Sequence, residues 1–289
     1  MVMYSKILVP LDGSPLAEQI LPYAQLIAVA YEIPGELLWV NDVEVAEWPP
    51  RSGKEYLRQA TAKYLSAVKR IDSIEADGKS AEEIVRRAAA EPSCLIAMAT
   101  HGMSGMRRWL IGSVASKVAQ SAQNPLLLVR PTENADPASP IALKTIFVPL
   151  DGSGLAEKAL PHALALAKRL KLAVQMLRVY TLPSDAYIVA DGVIAQGAAQ
   201  FREATHKEAE SYLEGKVESL RAEGLDHVIG TAMEGDAGSE IIDLAAKTAN
   251  SLIAMSTHGR SGIGRWLLGS VAEKVLQHSH APVLLIRAR

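Results

Sequence analysis

Along the chain, short unbroken apolar runs alternate with longer stretches whose apolar positions recur at helical spacing. In the first half the runs fall near Lys6–Pro10, Glu36–Val40, Asp72–Ala76, Cys94–Ala99 and Pro125–Arg130. In the second half they fall near Thr145–Pro149, Ala173–Val179, Asp226–Met233, Leu252–Ser256 and Pro282–Arg287. The helical stretches between the latter are about Gly154–Leu170, Ala198–Glu223, Ala237–Thr248 and Gly269–His280, and the first half repeats their order. Strands that are apolar on both faces and separated by helices belong to parallel sheets covered on both sides. Right-handed crossovers then wind each half into a five-stranded, doubly wound α/β sheet. Local signals agree. Ser14 before Pro15 reads as an N-cap with proline at the first helical position, and Ser80 with Glu83 reads as a capping box.

The two halves are copies. Val9 to Ala28 (VPLDGSPLAEQILPYAQLIA) returns as Val148 to Ala167 (VPLDGSGLAEKALPHALALA), identical at 13 of 20 positions. Thr100 to Arg130 returns as Thr257 to Arg287, identical at 19 of 31. A period this long describes a whole domain rather than a solenoid unit. The reading is therefore a first domain over residues 1–131 and a second over 141–289. A linker, Thr132 to Pro140 (TENADPASP), is expected to be exposed. The copies differ in length. Asp12 to Gly102 spans 90 residues and Asp151 to Gly259 spans 108, with the missing 18 placed after strand two and around the following helix and strand three.

Composition changes the picture mainly by exclusion. With 30 basic and 32 acidic residues the net charge of −2 offers no electrostatic footprint for nucleic acid or an anionic membrane. No run reaches the apolar length of a spanning helix, so a cytoplasmic protein is expected. Cys94 is the one cysteine, which precludes an intrachain disulfide and reads as a buried, inert thiol.

Ligands of open doubly wound sheets sit beyond the carboxyl ends of the strands, where the strand order reverses. Two segments per copy are expected there. One is the turn after strand one, with Pro10, Leu11 and Asp12 in the first copy and Pro149, Leu150 and Asp151 in the second. The other follows strand four: Gly102, nine residues, then Gly112, Ser113 and Val114, matched by Gly259, Gly269, Ser270 and Val271. A helix that opens on Gly-Ser offers partnerless N–H groups and a positive dipole end to an anion, and glycine lets that anion approach the main chain. The aspartates suit a ribose hydroxyl or a cation carried on a polyphosphate. Bland roles stay open beside these: the glycines as turn residues, the serines as caps, the aspartates as Asx turns.

At these residues the chain resembles the universal stress protein family, and the resemblance runs through both copies. The nucleotide-binding members carry a G-x-x-G-9x-G-[ST] pattern. Gly102, Gly112 and Ser113 match its latter part, as do Gly259, Gly269 and Ser270, while Ala99 and Ser256 stand where the first glycine falls. The resemblance implies an adenine-nucleotide alpha-hydrolase-like fold and ATP as ligand, with Mg²⁺ on its phosphates. It implies an adenine near Val40 or Val179, backbone contacts from Met98 and Met255, and phosphates beyond Asp12 or Asp151. It further implies an internal pseudo-twofold pair made through the last strands, PLLLVR and PVLLIR, with a homodimer as a further level. The function expected is a nucleotide-linked stress response with at most slow hydrolysis; a nucleotide-free interaction scaffold is the alternative.

Other residues carry less. His101 and His258 lack a second ligand at metal spacing and read as loop histidines. Arg107, Arg108, Arg260 and Arg265 suit either phosphate contact or a solvated surface, and Trp109 and Trp266 suit packing. Two further expectations follow from the site. Gly112→Val and Gly269→Val should block the phosphate cradle without unfolding the sheet. The second copy should hold adenosine more tightly, because Val40 to Tyr64 is nine residues shorter than Val179 to Tyr212.

Overall fold

The computed structural model describes residues 3–42, 53–102, 111–132, 135–182, 192–259 and 268–287. The first half runs β1 (Lys6–Pro10), α1 (Pro15–Glu18), α2 (Leu21–Tyr31), β2 (Gly35–Asn41), α3 (Gly53–Tyr64), β3 (Ile71–Asp77), α4 (Ser80–Ala89), β4 (Cys94–Ala99), α5 (Ser113–Ser121) and β5 (Leu126–Val129). The second runs β6 (Thr145–Pro149), a 3-10 turn (Ala156–Ala159), α6 (Leu160–Leu170), β7 (Ala173–Tyr180), α7 (Gly192–Ala222), β8 (Val228–Glu234), α8 (Ala237–Lys247), β9 (Ser251–Ser256), α9 (Ser270–His278) and β10 (Val283–Ile286). Where the sequence suggests one helix after the first strand, each copy has two pieces. Pro22 and Pro161 lie at the start of the second piece, since a proline deeper in a helix would lose a hydrogen bond and clash with the preceding turn.

All strands join one ten-stranded sheet in the order β3-β2-β1-β4-β5-β10-β9-β6-β7-β8. Each half is parallel within itself, and the halves meet antiparallel where Leu126, Leu127 and Leu128 face Leu285, Leu284 and Val283. The internal pair expected through the last strands is therefore present. Two contacts repeat across this seam with pseudo-twofold symmetry: the Arg130 guanidinium donates to the Gln277 carbonyl, and Arg287 Nη1 donates to the Gln120 carbonyl at 3.0 Å. The β5 and β10 side chains are buried on both faces of the sheet, one set in each of two apolar layers that run through both halves. This explains why their sequences lack any polar alternation. Cys94 lies in one layer, and burial pushes its thiol up to about 12, so it stays protonated at neutral pH. Among the described residues no helix is long and apolar enough to cross a membrane.

The capping box expected at Ser80 does not form. Ser80 is already the first helical residue of α4, Lys79 precedes it without a side-chain cap, and Glu83 pairs with Arg86 instead. The amide and hydroxyl of Ser80 both donate to Asp42 Oδ2, at 2.8 and 2.9 Å. A carboxylate arriving from the end of β2 satisfies this helix start better than a neutral hydroxyl can. The length difference between the copies also resolves. It lies wholly in the crossover from Asn41 to Ile71, against Tyr180 to Val228.

A further polar contact crosses between the halves near α2 and α6. Tyr4 Oη and His162 Nδ1 share a hydrogen bond of 2.9 Å, and the Tyr31 ring lies tilted against Tyr4 with centroids 5.1 Å apart. Burial pushes the His162 imidazole down to about 4, from about 6.5 in an unfolded chain. Between those values the unfolded state binds a proton that the folded state refuses. Stability therefore rises with pH across this window and is lost as pH falls from about 6.5 to 4, by on the order of 3 kcal/mol. Chemical denaturation of the unchanged chain and of His162→Phe at pH 7, 5.5 and 4 checks this. The unchanged chain is expected to lose about 3 kcal/mol more than the variant over that range; parallel profiles would remove His162 from the account.

Candidate functional site

Each first strand ends by sending its chain out of the sheet. Leu11 N–H still donates to the Leu38 carbonyl at 2.9 Å, and Leu150 N–H to that of Leu177 at 2.7 Å. Two residues later Gly13 and Gly152 turn the chain with φ of +86 and +85°, a conformation that L side chains rarely adopt. Asp12 Oδ1 accepts from the Ser14 amide at 3.0 Å and its hydroxyl at 2.7 Å; Asp151 Oδ1 accepts from Ser153 at 2.9 and 2.6 Å. Ser14 Oγ in turn caps α1 by accepting from the Ala17 amide at 3.1 Å. The Asx-turn role is therefore real in both copies, and it fixes where the carboxylate points. The other oxygen, Oδ2, lies against the glycine that follows the fourth strand. A methyl group on Gly102 would stand 1.8 Å from Asp12 Oδ2, and one on Gly259 would stand 2.0 Å from Asp151 Oδ2.

The second pair of glycines is also demanded by packing. Gly112 N–H donates to the Thr100 carbonyl and Gly269 N–H to that of Thr257, each at 2.8 Å. A methyl on Gly112 would approach the Thr100 carbonyl oxygen to 2.7 Å, and one on Gly269 would approach that of Thr257 to 3.1 Å. This corrects the expectation for Gly112→Val and Gly269→Val: either change strains the closure of the loop itself and does not probe ligand binding cleanly. The helices α5 and α9 start directly after these glycines with no side-chain cap. In contrast α1 and α8 are capped by Ser14 and Asp236. The first N–H groups of α5 and α9 thus have neither helical acceptors nor a cap from their own N-cap residue, at the positive end of the helix dipole.

In the second domain these elements enclose a cavity of about 220 Å³. Pro149, Leu150, Asp151, Val179, Met255, Ser256, Gly259, Gly269, Ser270 and Val271, the whole second-copy set read from the sequence, line it together. The first-copy set occupies the corresponding strand ends. Pro10 and Ala99 close β1 and β4, Met98 precedes Ala99, Val40 lies one residue before the end of β2, and Ser113 opens α5. The nine-residue loops lie mostly outside the described residues, and with them Arg107, Arg108, Trp109, Arg260, Arg265 and Trp266.

Sequence reading missed part of the lining. Ala237 and Ile241 project from α8, one turn apart, and Leu177 comes from β7. The i, i+4 apolar spacing marks that face of α8 as sheet-facing, but nothing local says that its first turn borders an opening. His258, in the loop after β9, also lines the cavity. Its Nδ1 pairs with Thr257 Oγ1 at 3.0 Å, while Nε2 is buried with no hydrogen-bond partner among the described residues. Beside it, the Ser256 hydroxyl donates to the His258 carbonyl and accepts from the His258 amide at 3.2 Å. Ala99 has no hydroxyl with which to repeat that clamp in the first copy.

Comparisons agree on what this arrangement is similar to. The model of the Universal stress protein family matches residues 3–130 and again 142–287. A universal stress protein of Methanocaldococcus jannaschii is 31% identical over 144 residues, covering 50% of this chain and 82% of that protein. One from Mycobacterium tuberculosis is 24% identical over 299 residues, covering 97% of this chain and 96% of its own length. Among solved structures, a functionally unknown protein from Pseudomonas aeruginosa aligns with a TM-score of 0.69 at 19% identity, over 99% of this chain and 93% of that one. A universal stress protein from Archaeoglobus fulgidus aligns with a TM-score of 0.67 at 18% identity, over 99% and 98%. These structures share the fold over both halves.

Proposed function

We propose, since this chain belongs to the universal stress protein family, that its second domain binds an adenine nucleotide and that occupancy of this site alters conformation or partner binding in a stress response. The observation that carries the reading is the convergence on one cavity of an oriented carboxylate, an uncapped helix start and an apolar slot. Each suits a different part of a nucleotide. Leu177, Val179, Ile241 and Met255 offer a dry surface for a base, and the Asp151 carboxylate suits a ribose hydroxyl. The first amides of α9 suit phosphates, and Gly259 keeps the main chain open to close approach. When bound, Mg²⁺ would offset phosphate charge, and Asp151, the acidic residue of the lining, would help to hold it. A cytoplasmic location belongs to the same reading.

A nucleotide-free interaction scaffold is the second reading. Ser256 favours it, because it stands at the first glycine of the nucleotide-binding pattern with its hydroxyl committed to the loop. Calorimetry with Mg·ATP separates the two. Saturable binding that weakens about 10- to 100-fold on Asp151→Ala supports the nucleotide reading, as a charged hydrogen bond is worth roughly 1.5–3 kcal/mol. No heat at millimolar ATP hands the function to the scaffold.

A further inference from the structure

We propose that the two crevices are not equivalent: Asp42 latches the first one shut, so that the chain takes one nucleotide, in its second domain. This rests on the nucleotide reading above and adds which site is filled and what decides it.

The correspondence between the copies is fixed by the turn before the fourth helix of each. Gly78 N–H donates to the Asn41 carbonyl at 3.3 Å, and Gly235 N–H to that of Tyr180 at 2.9 Å. Both glycines hold positive φ, +139 and +153°. Asp42 therefore corresponds to Thr181, Lys79 to Asp236, Ser80 to Ala237 and Val40 to Val179.

In the second domain α8 caps itself. Asp236 accepts from the Ser239 amide at 2.9 Å and is paired with Lys274, which holds its carboxyl down at about 2. The helix start asks nothing of β7. Thr181 is exposed, and Val179 and Ala237 face one cavity. In the first domain Lys79 stands at the capping position and, being a cation, cannot accept from the α4 amides. Asp42 supplies the acceptor, and its two hydrogen bonds to Ser80 tie the end of β2 to the start of α4. The neighbouring β2 residues are braced as well. Trp39 donates to Asn41 at 2.9 Å, and Asn41 donates to Asp77 at 3.0 Å. A base entering beside Val40 would have to part Asp42 from Ser80, and the phosphates it brings would meet an added negative charge.

The test is the number of sites per full-length chain, read by calorimetry with Mg·ATP on protein whose folding is verified by its melting curve. One site is expected in the unchanged chain. The pair Asp42→Thr and Ser80→Ala gives the first crevice the second domain's residues and is expected to raise the count to two. Asp42→Thr alone, which leaves the Ser80 hydroxyl in place, is expected to add a second, weaker site. With Asp151→Ala added to the pair, the newly opened site should remain at full affinity. Two sites of equal affinity in the unchanged chain would overturn the latch, and so would a count of one that the paired substitution leaves unaltered. No binding by any of these chains would instead overturn the nucleotide reading, and the latch with it.

Discussion

Leu127→Asp is expected to remove most of the chain's stability. Leu127 is 1% exposed in the middle of β5, opposite Leu284, which is equally buried. An aspartate there would be placed in an apolar layer beside Val129, Leu284 and Ile286. Breaking such a site leaves a buried charge uncompensated, at a cost of about 3–5 kcal/mol, beyond the loss of the leucine's own burial. Against a typical total of roughly 5–15 kcal/mol, this shifts the chain from folded to largely unfolded near room temperature. Leu127→Ala is expected to cost less, about 2–5 kcal/mol, and to leave the sheet intact. Urea denaturation followed by circular dichroism ranks the three chains. A Leu127→Asp midpoint close to that of the unchanged chain would mean that the halves do not depend on the seam.

The largest effect expected on binding comes from Gly259→Val. A side chain at this position meets Asp151 Oδ2 at 2.0 Å, so the carboxylate must leave its place or the loop must move. Either outcome also brings a branched side chain into the cavity wall. Affinity for Mg·ATP is expected to fall by about 100-fold or more, the sum of a lost charged hydrogen bond and steric exclusion. Stability is expected to fall by only about 1–3 kcal/mol, the ordinary cost of overpacking. Asp151→Ala serves as the comparison, losing affinity without the steric term. Unchanged affinity in Gly259→Val would place the ligand elsewhere than beside this loop.

The sequence was most legible where one physical requirement acted alone. The strands β1, β4 and β6 fall where their apolar runs predict, because each is a buried strand with no competing pattern. The edge strands are less distinct: β3 alternates as IDSIEAD with a solvated face, and β8 begins two residues later than its apolar signal suggests. The site's glycines and aspartates were legible because both copies repeat them, the glycines with the same nine residues between them. Their purpose was only half legible, since packing against Asp12, Asp151, Thr100 and Thr257 would demand glycine with or without a ligand. The cap at Ser80 was not legible. Its acceptor, Asp42, lies 38 residues away, and no local pattern announces a contact that only the sheet brings about. The place of His258 in the cavity wall was not legible either, because its neighbours there come from strands and helices distant in sequence.

The seam between β5 and β10 has a consequence that lies in mass action rather than geometry. Two separate copies joined by the same strands would come apart on dilution, and whatever closed one crevice would close both. Here the joining chain is itself pinned: Gln19 exchanges hydrogen bonds of 2.7 and 2.9 Å with the main chain of Thr132. Short tethers of this kind correspond to effective concentrations of about the millimolar range. Assembly of the halves is thereby independent of how much protein is present, and each half is released from serving as its own partner. Asp42 opposite Thr181, and Ala99 opposite Ser256, are substitutions of the kind that such a fused pair tolerates and a symmetric one does not.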